Sequence, residues 1–398
     1  MSSKIRVSLE ELKRLTRESL RALGHHQDDL QRMVELLVFA QLRGNSQGIV
    51  KIPSGGMNPQ KDAGEVEVEH ETPLSCMLNA NRRPGIAGLY RATEEAMSRA
   101  KAHGFGLVSW SVCFLERGMD SDWNLIVLKR AGKGGLDVEG RGGEEDRGGS
   151  GGTLKSKAAG LHGVCTGTGA IGFYAEKMAK EGLVGFVFTQ SPELVAPYGC
   201  YEPIFGTNPM AVGMPRRAPL DPIVLDTAMS AIAFFRVHEA KWRGEALPEG
   251  AAFDAEGNET TAPEAALKGA LRVFDRGYKG SHLALMVEVL GGVLGGGAVK
   301  EKKATRDWGS TVFCFRIDLL GKEGEYYDKV EDLVERLKSA KRTEGAPEPL
   351  LPGERGNRES AAALSAGAVE LDAPLVEKLR ELAEKGERGE IVTTAAAL

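Results

Sequence analysis

Ser191-Pro192-Glu193-Leu194-Val195-Ala196-Pro197-Tyr198-Gly199, continuing through Glu202-Pro203 to Gly206-Thr207-Asn208-Pro209, is the stretch on which the reading of this 398-residue chain turns. It follows an apolar run, Leu183–Thr189, whose length and continuity predict a buried strand. Ahead of that run, 173–180 predicts a helix. Beyond it, 223–226 predicts a second strand, leading into a helix that ends near Gly244. Turns rich in Gly, Asn and Ser beside strands suggest a ligand groove.

Toward the N-terminus, Ser8-Leu9-Glu10-Glu11 has the capping-box pattern ahead of an amphipathic helix. Leu9, Leu12, Leu15, Leu20 and Leu23 form its apolar stripe and Gly24 stops it. A second helix runs from near Asp28 to near Gly44, with Leu30, Met33, Val34, Leu37 and Val38 on one face. The segment 43–59 is rich in Gly, Ser, Asn and Pro, a composition that makes it a candidate site loop. A helix over 85–103 stops at Gly104, and 105–112 predicts a strand. Another helix starts near Ser281. Two more close the chain: 327–341, with Val330, Leu333, Val334 and Leu337, and 372–385, with Pro374 in its first turn. Between residues 131 and 160, 11 positions are glycine and almost none is large and apolar. That composition cannot bury a core, so 114–163 is expected to be a disordered insertion.

The formal charge of -5 gives no basic footprint for nucleic acid. The most apolar stretch, 283–294, is interrupted by Glu288 and too short to span a bilayer. No secretory signal is read at the N-terminus, so a cytoplasmic protein is expected. The five cysteines are scattered and form no C-x-x-C pair, which suits a reducing compartment. No metal-ligand spacing is present among the histidines. His25 and His26 stand at a helix end, where solvated side chains are expected. Residues 254–258 (DAEGN) begin like a calcium loop but lack the later ligands, and read as a polar turn. Gly167-Thr168-Gly169-Ala170-Ile171-Gly172 matches G-x-G-x-x-G, yet its upstream residues make a poor strand, so a Rossmann site is not favoured. His282, in Tyr-Lys-Gly-Ser-His beside Lys279, sits where a helix opens and could attract phosphate.

Five segments in order resemble the malate/L-lactate dehydrogenase family of nicotinamide enzymes. They are Ser191–Gly199, its continuation Glu202–Pro209, Ile223-Val224-Leu225-Asp226-Thr227-Ala228-Met229-Ser230, Gly277-Tyr278-Lys279-Gly280 and Leu351-Pro352-Gly353-Glu354-Arg355. The resemblance spans 8–112 and 164–385. It implies an α+β fold with a helical layer from both chain ends and an inserted mixed α/β domain, holding the nicotinamide without a Rossmann fingerprint. The expected division is 1–75 and 281–398 for the helical layer and 76–280 for the cofactor and substrate domain. A homodimer is implied, with no nucleic-acid or membrane partner.

The implied cofactor is NAD or NADP, and the positions matching the family's contacts to it are Asn208, Thr227, Ala228, Met229, Ser230, Lys279, Gly353 and Glu354; Asp226, His282 and Pro352 beside them are further cofactor candidates. The implied activity is hydride transfer between NAD(P)(H) and a 2-oxo acid/2-hydroxy acid pair. The chain departs from the family at two histidines. One falls at Gln47, within Ser46-Gln47-Gly48, and the other at Gly167; the arginine of the same loop is replaced by Lys51. Ser46, Gln47 and Lys51 are the catalytic candidates, with Lys51 fixing a carboxylate and Gln47 polarising a carbonyl as a neutral donor. Lys51, Lys279 and His282 are the candidate proton donors. The alternative is a catalytically impaired, cofactor-binding relative that lacks the acid/base histidines.

Overall fold

The computed structural model describes residues 4–45, 47–60, 63–111, 167–305, 307–392 and 394. The expected insertion at 114–163 and Ser46 lie outside the described residues.

The two chain ends meet first. Strand β1 (Lys4–Ser8) pairs antiparallel with β12 (Ala368–Asp372). Helices α1 (Leu9–Ala22) and α11 (Ala373–Glu387) follow these strands and pack on each other. Leu12, Leu15 and Leu20 bury against a layer that includes Leu375, Val376 and Leu379. The Ser8 hydroxyl accepts the Glu11 amide at 3.1 Å, the expected N-cap. The box is not reciprocal, because the Glu11 carboxylate instead accepts from Arg380 at 2.8 Å, across the interface between the helices. Helix α2 (Gln27–Leu42) buries all five of the apolar residues expected on its face. His25 departs from expectation. It is buried, with Nε2 2.6 Å from the Met57 carbonyl, and burial lowers its pKa to about 4 against the pull of that hydrogen bond and of Asp29. The segment 52–58 folds back over it, a contact that no local pattern announces.

The body is a seven-stranded mixed sheet. Its strands are β2 (Glu67–Glu71), β3 (Ser75–Asn79), β4 (Phe105–Ser111), β5 (Leu183–Thr189), β6 (Met210–Met214), β7 (Ile223–Thr227) and β11 (Ser310–Arg316). Their order is β2-β3-β4-β11-β5-β6-β7, with β3 and β4 the one parallel pair among these neighbours. The STVFCFR run of β11, apolar from Val312 to Phe315, sits mid-sheet between β4 and β5, and β7 lies at the edge. Helix α3 (Gly85–His103) covers β4 and β11, ending at Gly104 with φ 87°, a left-handed turn that glycine adopts freely. Helix α4 (Gly172–Lys180) covers β5 and β6. It approaches so closely that a Cβ on Gly213 would stand 2.2 Å from the Ala175 carbonyl oxygen.

A second apolar cluster forms beside the sheet around α5 (Phe234–Arg243) and a small sheet of β8 (Ala252–Phe253), β9 (Glu259–Thr260) and β10 (Ala270–Leu271), with α6 (Pro263–Ala266) between the last two. Asp254 closes the β8–β9 turn by accepting the Asn258 amide at 2.8 Å, which is the polar turn expected of that segment. Helix α7 (Tyr278–Val287) continues as a π-helical segment, Glu288–Val293, before the short α8 (Lys302–Thr305). Helix α9 (Glu323–Lys338) differs from its apolar stripe: Leu333 is 65% exposed. Ion pairs hold it instead, Arg216 to Glu331 and Arg217 to Asp328. Helix α10 spans Glu354–Ala366. No helix among the described residues is long and apolar enough to cross a membrane.

Candidate active site

A cavity of about 440 Å³ opens between the 43–59 loop, the start of α4, the 189–209 turns and the end of β7. From the loop come Asn45, Gln47 and Lys51; from β7 and the turn after it come Asp226, Thr227, Ala228 and Ser230. Nearly 180 residues of sequence separate these two groups, yet they line one cavity.

The loop is shaped locally. Asn45 Oδ1 accepts the Gln47 amide at 2.9 Å, a tight Asx turn that presents the glutamine side chain. A short 3-10 turn, Ile49–Lys51, then points Lys51 inward. Lys51 is 2% exposed and donates from Nζ to Gln47 Oε1 at 2.8 Å. The ammonium also lies 4.9 Å from the centre of the Phe235 ring. Burial pulls its pKa down to about 7. With its oxygen engaged by Lys51, Gln47 keeps its amide N–H groups as donors.

Asp226 is held from the opposite side of the chain. Its Oδ2 accepts the Gly172 amide at 2.9 Å, which caps the start of α4. Its side chain is open to the cavity but recessed among protein atoms. That recess raises its carboxyl to about 6, while the Gly172 amide pulls the other way. Thr227 and Ser230 spend their hydroxyls on the Ala228 and Ile232 carbonyls.

The other expected cofactor residues lie elsewhere. Met229 is fully buried in the second core, and its amide donates to the Thr207 carbonyl at 2.8 Å. Asn208 is fully buried behind the wall, donating to Ala284 O at 3.1 Å and Glu288 Oε2 at 2.6 Å. Lys279 and His282 are exposed in the first turns of α7 and do not line the cavity. Pro352, Gly353 and Glu354 are also outside it, but Pro352 O accepts the Val224 amide at 3.1 Å, so this turn is fastened to β7. Glu354 is held down to about 2 by Lys338, by the Leu351 amide and by Arg358. Edge strand β7 therefore links the cavity at one end to the 352–354 turn at the other.

Sequence reasoning missed several wall residues. Thr168, Gly169 and Ala170 line the cavity beside Gly167, although the GxGxxG match read as a decoy. Phe234, Phe235 and Trp308 also line it. The adjacent phenylalanines opening a helix after a run of small residues were the available signal; Trp308 had none. Among the described residues no cluster of three or more His, Cys, Asp or Glu is placed to hold a metal ion.

Comparison with known proteins bears on this arrangement directly. The malate/L-lactate dehydrogenase family model matches residues 7–113 and 158–380. The chain belongs to that family. This member of the malate/L-lactate dehydrogenase family is 28% identical to a malate/(S)-sulfolactate dehydrogenase from Methanothermus fervidus, over 95% of this chain and 97% of that one. It is 36% identical over 52% of its own length, and 60% of the relative's, to a Δ1-pyrroline-2-carboxylate/Δ1-piperideine-2-carboxylate reductase from Pseudomonas syringae pv. tomato. The crystal structure of Δ1-piperideine-2-carboxylate reductase from that organism superposes with a TM-score of 0.69 at 27% identity, covering 95% of this chain and 99% of the other. Malate dehydrogenase from Entamoeba histolytica shares the fold with a TM-score of 0.76 at 19% identity, covering 97% and 99%. The mixed α/β architecture is that of the family's dehydrogenases, and the family match leaves 114–157 uncovered.

Proposed function

We propose that this chain is an NAD(P)-dependent oxidoreductase that transfers a hydride between the nicotinamide and a 2-oxo acid/2-hydroxy acid pair, of the size of malate, lactate or sulfolactate. The observation that carries the reading is the cavity itself, where a lysine and an amide from the 43–59 loop meet the Asp226–Ser230 turn at the end of an edge strand. Its volume of about 440 Å³ falls in the range of small-molecule sites.

The residues present fit a nicotinamide cofactor. The donor set of Gln47 and Lys51 suits the oxygens of a small acid, and Phe234, Phe235 and Trp308 offer apolar wall to a flat ring. The cofactor supplies the hydride when bound; the protein binds and orients. Thr227, Ala228 and Ser230 would hold the nicotinamide end. The course of β7 would carry the rest toward Pro352, Gly353 and Glu354, with Lys279 and His282 offered to phosphate. This is a non-Rossmann mode: the α4 start that a Rossmann fold would aim at pyrophosphate is capped by Asp226. Asn208 and Met229 would support the wall from behind.

The domain division that goes with this reading is 1–75 with 281–398 as the helical layer and 76–280 as the substrate body, 114–163 being an insertion. A cytoplasmic homodimer accompanies it. The outer face of α7 and its π-helical continuation supports the dimer, with Leu285, Met286, Val289, Val293 and Leu294 each at least 40% exposed.

Titration with NADH and NADPH, read by nicotinamide fluorescence, and a panel of 2-oxo acids read at the reduced cofactor's absorbance test the proposal. Binding of one cofactor and reduction of at least one acid is expected. Binding without any turnover would favour the impaired relative, and no binding would refute both.

A further inference from the structure

The cavity contains two titratable side chains among its described lining residues, Lys51 and Asp226. The carboxylate of Asp226 is committed to the start of α4 through Gly172. Lys51 is placed differently. Its nitrogen has one acceptor, Gln47 Oε1, and no carboxylate partner among the described residues. A Cβ on Gly167 would stand 2.7 Å from Nζ, so the ammonium occupies the space that a side chain at 167 would need. The Gln47 contact fixes the head of a long flexible side chain, and the Phe235 face closes one flank.

We propose that Lys51 Nζ, seated on Gln47 against the bare backbone of Gly167, is the catalytic acid and base that exchanges the proton with the substrate oxygen, rather than a clamp for the carboxylate. This rests on the hydride-transfer reading above. In reduction the carbonyl carbon accepts a hydride from reduced nicotinamide. The π electron pair moves to oxygen, and that oxygen takes a proton from the Lys51 ammonium, leaving a neutral amine that is reprotonated from water. In oxidation the amine takes the hydroxyl proton as the hydride leaves carbon for oxidised nicotinamide.

The surroundings suit such an exchange. The 45–48 turn presents Asn45 and Gln47 and no charge. Helix α5 presents the Phe235 ring, with His238 packed behind it at 5.9 Å between ring centres. Strand β7 brings Asp226 to the same cavity. The burial that lowers Lys51 to about 7 leaves both protonation states populated near neutral pH, where a proton-transfer group works best. Lys279 and His282, the other candidates, are exposed outside the cavity.

The test uses the full chain in three arms. Lysine labelled with ¹³C at Cε, assigned by comparison with Lys51→Arg, should show one resonance titrating near pH 7 in the cofactor-free protein. Lys51→Arg keeps the cation but cannot release its proton, so kcat for reduction should fall by about 10²-fold or more, the scale of lost acid catalysis. Its cofactor Kd and KM should change by less than about threefold, as expected of a group acting mainly in the transition state. In wild type, kcat for reduction should fall as pH rises through about 7 and kcat for oxidation should rise, and Lys51→Ala should regain turnover with added alkylamines. A Lys51 resonance titrating above pH 9, or a Lys51→Arg enzyme with kcat within threefold of wild type, overturns the Lys51 assignment alone. If wild type reduces no acid in the panel, the reaction reading fails instead, and the resonance still decides whether Lys51 is poised to exchange a proton.

Discussion

Breaking the buried ion pair behind the cavity wall should cost more than removing it entirely. Lys302 has no solvent exposure, and its Nζ lies 2.5 Å from Glu288 Oε1 in the π-helical segment. The same carboxylate accepts from Gln190 Nε2 at 2.7 Å and from Asn208 Nδ2 at 2.6 Å. Lys302→Met would leave that carboxylate buried with two neutral donors and no cation. Loss of one partner of a buried pair typically costs about 3–5 kcal/mol. The two surviving amide donors place the expected loss at the lower end, about 3 kcal/mol. In Lys302→Met/Glu288→Leu the charge is gone. Gln190 Nε2 keeps the Ala298 carbonyl at 2.7 Å and Asn208 Nδ2 keeps the Ala284 carbonyl at 3.1 Å, so each amide nitrogen retains an acceptor. The double variant should therefore lose no more than about 2 kcal/mol. Denaturant unfolding of wild type, both single variants and the double variant gives the coupling directly, provided the slope is unchanged. A Lys302→Met loss under about 1 kcal/mol, or a double variant as unstable as the sum of the singles, would refute the reasoning.

Three further outcomes follow from the same geometry. His25 has a folded pKa of about 4 against 6.5 unfolded, so its contribution is complete above pH 6.5 and is lost as pH falls toward 4; a shift of that size amounts to about 3 kcal/mol. Chemical denaturation at pH 7 and pH 4.5 should show His25→Gln flattening that acid-side loss, and an unaltered slope would count against it. Gly213→Ala puts a methyl against the α4 backbone, where nothing flexible can yield, so a loss of about 2 kcal/mol or more is expected; a thermal scan showing no change would contradict the close approach. Gln47→His should introduce a titration near pH 6–7 into the pH–rate profile. A well-folded variant with a wild-type profile would place residue 47 outside the substrate's reach.

Much of the helical framework was legible from short-range pattern. Ser8 as a cap, the α2 face and the Gly104 stop are settled within one or two turns of chain, where periodicity and capping chemistry act. Strand β5 was read to the residue because a continuous apolar run can only be buried on both faces. Strand β11 went unread: its apolar core is only four residues, Val312–Phe315, and its mid-sheet placement depends on partners some 120 and 200 residues away. The α9 stripe misled for the converse reason, since an amphipathic pattern does not reveal whether anything packs on it.

The candidate site divides the same way. The sequence by itself supplied the family segments and the substitutions Gln47, Lys51 and Gly167. Only the tertiary structure decided that these three meet, that Asp226 is committed to α4, and that Asn208 and Met229 face the core. Side-chain identity is local information, whereas burial, and with it the ionisation of Lys51 and Asp226, is a property of everything the fold packs around them.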